Sequence, residues 1–98
     1  MVVKARWNGV TIAESEQCQM VEGNYYFPPD AVRQEYLKPS QTHTLCFWKG
    51  QASYYDLEVG GVRNPDAAWY YPHPSPLAKK IKGYVAFWNG VEIVRERR

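Results

Sequence analysis

Apolar and polar residues alternate in short runs along most of this chain. Val3-Lys4-Ala5-Arg6-Trp7 alternates, Asn8-Gly9 interrupts, and Val10-Thr11-Ile12-Ala13 alternates again. An Asn-Gly pair between two such runs predicts a hairpin, because both residues tolerate the positive φ of a type I′ turn. The words return near the far end as Tyr84-Val85-Ala86-Phe87-Trp88, Asn89-Gly90 and Val91-Glu92-Ile93-Val94, so Trp-Asn-Gly-Val-x-Ile occurs at positions 7 to 12 and 88 to 93. The repeat predicts a pseudo-symmetric pair of hairpins that bring the two ends together.

Between them, Gln17 to Val21 reads as a strand, and Glu22-Gly23-Asn24-Tyr25-Tyr26-Phe27-Pro28-Pro29 reads as irregular chain. Proline and Asp30 suit a first helical turn, so a short helix is expected from about Pro29 to Leu37, with Val32 and Tyr36 on one face and Lys38-Pro39-Ser40 as its stop. Thr42 to Trp48 alternates, with Leu45 and Phe47 to one side and Thr44, Cys46 and Trp48 to the other. Lys49-Gly50 marks a bend or bulge, and Gln51 to Val59 resumes as a strand, with Tyr55, Leu57 and Val59 opposite Ala52, Tyr54, Asp56 and Glu58. After the Gly60-Gly61 turn, Val62 to Asp66 looks less regular, and Ala67 to Tyr71 is a further strand closed by Pro72-His73-Pro74. Ser75 is placed to cap a two-turn helix over Pro76 to Lys82, with Leu77 and Ile81 on its buried side and Gly83 ending it. The pattern predicts a mainly β, mostly antiparallel fold with two short helices, in one domain over residues 1–98.

Composition narrows the class. An apolar share of 45% and a charged share of 22% are those of a globular chain, while the aromatic share of 15% is high. A net charge of +2 argues against a nucleic-acid partner, which would call for a basic stripe, and Arg95-Glu96-Arg97-Arg98 reads as a solvated end. No apolar run reaches the length of a membrane span and Met1-Val2-Val3-Lys4 starts no secretory signal, so the expected compartment is the cytoplasm. There, Cys18 and Cys46 are expected as free thiols.

The stretch richest in chemistry is Thr44 to Tyr55, which sets a thiol, an indole, an ammonium and two phenols beside one glycine. Cys46 is a candidate nucleophile if Lys49 or His43 stabilises its thiolate, and otherwise a small core residue. Glu22 among tyrosines is a candidate general acid or base if desolvation raises its pKa; alternatively it pairs with Lys49 or accepts loop N–H groups and fixes the loop. Cys18, His43, Cys46 and His73 have the right elements for zinc but no knuckle spacing, so no metal and no cofactor are expected. Tyr25, Trp48, Lys49, Tyr54, Trp69 and Tyr71, with Glu22, are the candidate lining of a cleft for a small, partly apolar, polar-tipped molecule. Trp7 and Trp88 are assigned to the core.

Five stretches carry a resemblance. They are Trp7-Asn8-Gly9-Val10, Glu22-Gly23-Asn24-Tyr25-Tyr26-Phe27-Pro28, Cys46-x-Trp48-Lys49-Gly50-x-Ala52-x-Tyr54, Ala67-Ala68-Trp69-x-Tyr71-Pro72 and Ile81-x-Gly83-Tyr84-x-Ala86-Phe87. In this order they resemble the small bacterial domain of unknown function family 427 nearly end to end, with Phe47 standing where that family usually has proline. The resemblance implies a β-tent-like fold of two antiparallel sheets, an architecture shared with the ligand-binding domain of cereblon and with methionine sulfoxide reductase B. The paired Cys-x-x-Cys zinc knuckles common in those relatives are missing from this sequence. The nucleotidyltransferase label sometimes attached to the family finds no phosphate-cradling loop or paired aspartates here. Three readings follow: a small-molecule-binding domain, an enzyme using Cys46 or Glu22 in the same cleft, and a protein-interaction module.

Overall fold

The computed structural model describes residues 1–97. β1 (Val2–Trp7), β2 (Val10–Ser15) and β9 (Glu92–Glu96) form a three-stranded sheet with β1 in the centre. β5 (Leu37–Cys46), β6 (Gly50–Val59), β7 (Val62–Tyr70) and β8 (Val85–Phe87) form a four-stranded sheet in chain order. β3 (Gln19–Val21) and β4 (Asn24–Tyr26) pair as a ribbon. All pairings between these strands are antiparallel, so the mainly β, two-sheet architecture expected from the sequence is the one adopted. The ribbon extends the four-stranded sheet: Phe27 and Val85 exchange both backbone hydrogen bonds, at 2.8 and 2.9 Å. No helix among the described residues is long and apolar enough to cross a membrane.

Two-residue turns with both central residues at positive φ join β1 to β2 at Asn8-Gly9, β3 to β4 at Glu22-Gly23 and β6 to β7 at Gly60-Gly61. Asn89-Gly90 adopts the same turn, yet its flanking strands do not pair. β8 stays in the four-stranded sheet and β9 crosses to pair with β1. The repeated words therefore make one hairpin and one corner between sheets, and the ends meet through β1 and β9.

The four-stranded sheet packs side chains on both faces, and the strand period of two sorts its residues. One face carries Tyr55, Leu57, Val59, Ala68, Tyr70, Val85 and Phe87, packed with Val3, Ala5, Ile12 and Ala13 of the three-stranded sheet. The other carries Ala52, Tyr54, Trp69, Tyr71 and Ala86 with Tyr26, Ala78 and Ile81. β4 obeys the same alternation, sending Tyr25 to the first cluster and Tyr26 to the second.

Both expected helices are replaced by 3-10 turns. Pro29–Ala31 and Gln34–Tyr36 are single turns separated by an extended Val32, whose strand-like bridge to Ala13, with the Arg33 N–H bonded to the Ile12 carbonyl at 2.8 Å, uses backbone groups that a helix would need. The chain then enters β5 at Leu37, and Pro39 is accommodated because β5 is an edge strand. Pro76–Ile81 is likewise a 3-10 segment kinked at Ala78. Three residues per turn put Ala78 and Ile81 inward and leave Leu77 in solvent, where four-residue spacing had predicted Leu77 buried. Ser75 makes no side-chain cap; its hydroxyl donates to the Trp48 carbonyl. Leu45 and Phe47 alternate as expected, but among the described residues neither is covered, and Phe47 is 97% exposed.

Gly50 closes the β5–β6 hairpin at φ +114°, and a Cβ there would lie 3.3 Å from the His73 carbonyl oxygen. That contact is held by the Ser75 N–H bonded to the Lys49 carbonyl at 2.9 Å. Gly50→Ala meets both backbone strain and crowding, and should destabilise the chain by about 2 kcal/mol, more than Gly9→Ala, which strains φ alone in open space. Urea midpoints of the two variants, compared at unchanged m-value, check this order.

Candidate functional site

The turn Phe47-Trp48-Lys49 between β5 and β6 turns the Lys49 side chain back into the protein, where it is only 6% exposed. A buried ammonium requires a counter-charge. Glu22, at the tip of the ribbon, supplies it: one carboxylate oxygen accepts from Lys49 Nζ, and the other accepts from Trp48 Nε1 at 3.3 Å. The ammonium also stands 5.1 Å from the Trp48 ring centroid and 5.6 Å from that of Tyr71, in cation–π range of both. Burial pulls the Lys49 pKa down, but Glu22 and then the Tyr26, Tyr71 and Cys46 side chains outweigh it, and the net shift is upward. The Lys49 and Trp48 hydrogen bonds hold the Glu22 carboxyl below its ordinary value. Both groups are thus charged at neutral pH.

Beside this pair the face of the four-stranded sheet that points away from the three-stranded sheet is hollow. Tyr54, Trp69 and Ala86 lie in one cross-strand row, and buried Ala52 and Ala86 put small residues among large rings. Trp69 meets Tyr26 edge-on at 6.2 Å and donates its indole N–H to the Tyr26 hydroxyl at 3.1 Å. Tyr54 is tied by its hydroxyl to Thr44 Oγ1 at 3.1 Å. The result is an open cavity of about 240 Å³ lined by Asn24, Tyr26, Lys49, Tyr54, Trp69, Tyr71 and Trp88.

The family model of the domain of unknown function DUF427 matches residues 1–97. The chain belongs to that family. No curated protein matches it.

In this DUF427 chain the structure brings Lys49, Tyr54, Trp69 and Tyr71 to the cavity, and holds Glu22 and Trp48 beside it through Lys49. Tyr25 is not there: alternation along β4 turns it to the opposite face, and Tyr26 takes its place. Trp88, expected in the core, is 53% exposed and forms part of the cavity lining, whereas Trp7 packs against the first cluster. Trp88 is positioned by Asp66, a residue the sequence reading passed over. Asp66 has φ +52°; its carbonyl accepts from Trp88 Nε1 at 2.7 Å, and its carboxylate accepts from Ser40 and Thr42 at 2.5 and 2.8 Å. An aspartate after Pro65, at the end of a stretch that reads as less regular, is its only signal in the sequence.

Cys46 ends β5 and packs against the second cluster without lining the cavity. Burial pushes the Cys18 thiol up to about 11, which leaves it almost no thiolate at neutral pH. His43 Nδ1 lies 3.1 Å from the Ser53 hydroxyl, and among the described residues no group of three or more His, Cys, Asp or Glu side chains is arranged to hold a metal ion.

Because folding lowers the Glu22 pKa from 4.5, its pairing stabilises the fold above that value and is lost as pH falls through the lowered folded-state value. The Trp48 indole N–H resonance should therefore titrate with an apparent pKa below 4.5. In Glu22→Gln that titration should disappear while the other indole resonances keep their positions.

Proposed function

We propose that this chain is a small-molecule-binding domain of the bacterial cytoplasm and that its ligand occupies the aromatic cavity beside Lys49. The observation that carries the reading is the composition of that hollow: three phenol rings and two indoles with two further polar side chains, one of them a buried ammonium. The free, unpaired cysteines fit a reducing compartment.

The ligand's polar end follows from the charge balance. An ammonium has three donors, and among the described residues Lys49 gives one of them to Glu22. Its charge is already compensated, so what remains favours an uncharged acceptor such as a carbonyl over a free anion. The Asn24 amide offers both a donor and an acceptor in the same wall. The preferred ligand is a compact, largely flat molecule with an apolar body and a carbonyl-like tip.

The enzyme reading has less support. Glu22 is held ionised and is engaged by Lys49 and Trp48, which suits anchoring better than proton transfer. Exposed Leu45, Phe47 and Leu77 favour an interaction module as the second reading, since they lie away from the cavity lining and nothing packs on them.

A thermal-shift screen of small metabolites tests the first reading. A true ligand at about a hundred times its Kd adds about 2.7 kcal/mol of stability. Tyr54→Ala should weaken such a ligand roughly tenfold by removing one wall, with the apo fold retained. Equal affinity in Tyr54→Ala and in Lys49→Met would place the ligand elsewhere, and thiol labelling of Cys46 much faster than of free glutathione would favour the enzyme reading.

A further inference from the structure

The other face of the same wall holds a second cavity, also of about 240 Å³, lined by Gly23, Asn24, Tyr25, Phe87, Ile93 and Arg95. The register of β9 explains how an arginine reached it. Arg95 pairs with Val3 and Ile93 with Ala5, so both share the face of the three-stranded sheet that packs into the first cluster. The sheet's other charged residues, Lys4, Arg6, Glu14, Glu92 and Glu96, all fall on the opposite face by the same alternation. There Lys4 pairs with Glu96 at 2.8 Å. Arg95 is left alone on the core side, and no ion pair among the described residues uses it.

The geometry points to a second binding site, for a small carboxylate with an apolar body. Arg95 is exposed, so its guanidinium can be reached from solvent, and its planar fork matches a carboxylate through two parallel hydrogen bonds. Buried Phe87 and half-buried Ile93 give the body of the ligand an apolar surface. Tyr25 and Asn24 add a phenol and an amide to the lining. This preference for an anion sets it apart from the Lys49 cavity, whose cation already has its carboxylate. The two hollows lie back to back across β4 and share only Asn24.

Titration of the ¹⁵N-labelled chain with sodium benzoate, against sodium chloride at matched ionic strength, tests the assignment. We expect saturable shifts at the Gly23 and Ile93 amides and at the Arg95 Nε–H, with the Trp69 indole unmoved. Arg95→Gln should weaken the affinity by about tenfold or more, and Arg95→Lys should do so by less, since charge remains but the fork is lost. Inorganic phosphate, which lacks the apolar body, should bind more weakly than benzoate. No saturable shift at these positions, equal affinity in Arg95→Gln, or phosphate binding as tight as benzoate overturns the proposal. Shifts confined to Trp69 and Tyr54 would overturn it while leaving the Lys49 cavity as a ligand site.

Discussion

An ammonium withdrawn from water must be met by a counter-charge, and the way Lys49 meets this requirement fixes the relation between two parts of the chain that are far apart in sequence. The lysine comes from the β5–β6 turn and the carboxylate from the β3–β4 turn. Glu22 sits at φ +51°, a conformation that costs a non-glycine residue roughly 1 kcal/mol. Its bonds to Lys49 and Trp48 offset that cost. They hold the ribbon tip against the hairpin, and so hold Tyr26 against Trp69.

The ribbon matters because it lines a cavity on each of its sides. Continuing the four-stranded sheet through Phe27 and Val85, it presents Tyr26 to one cavity and Tyr25 to the other. The faces differ in what backs them. On Tyr25's side the three-stranded sheet packs a core and leaves a gap at its β9 edge. On Tyr26's side there is no second sheet; the 3-10 segment Pro76–Ile81 covers part of the surface through Ala78 and Ile81, and the remainder is open.

Much of this was legible in the sequence, and the failures have physical causes. Alternation located most of the strands and the right faces for Leu57, Val59, Ala52 and Tyr54. Asn-Gly words identified the turns but not their use, because a type I′ turn is local and whether its flanks pair is decided by β1, which lies at the other end of the chain from β9. Helix expectations failed where tertiary backbone bonds competed, as at Val32, and where proline-led turns stayed 3-10. Aromatic clustering pointed to segments that line the Lys49 cavity, but in a two-residue pair such as Tyr25-Tyr26 a shift of one position exchanges the faces. The ribbon's register was hidden because Glu22-Gly23 was read as irregular chain instead of a turn.

It remains to explain why rings stand around a hollow when closing over it would remove apolar surface from water, at about 25 cal/mol per Å². The wall residues are tethered by their polar ends. Trp69 is bonded to Tyr26, Tyr54 to Thr44, Trp88 to the Asp66 carbonyl and Lys49 to Glu22. Collapse of any of these tethered rings inward would break its hydrogen bond, each neutral one worth on the order of 1 kcal/mol net. The alanines at 52 and 86 contribute too little side chain to fill the space from the sheet below. Framework hydrogen bonds at the rim and small residues at the base therefore hold the aromatic faces apart, and a ligand that enters gains their contact without reorganising them.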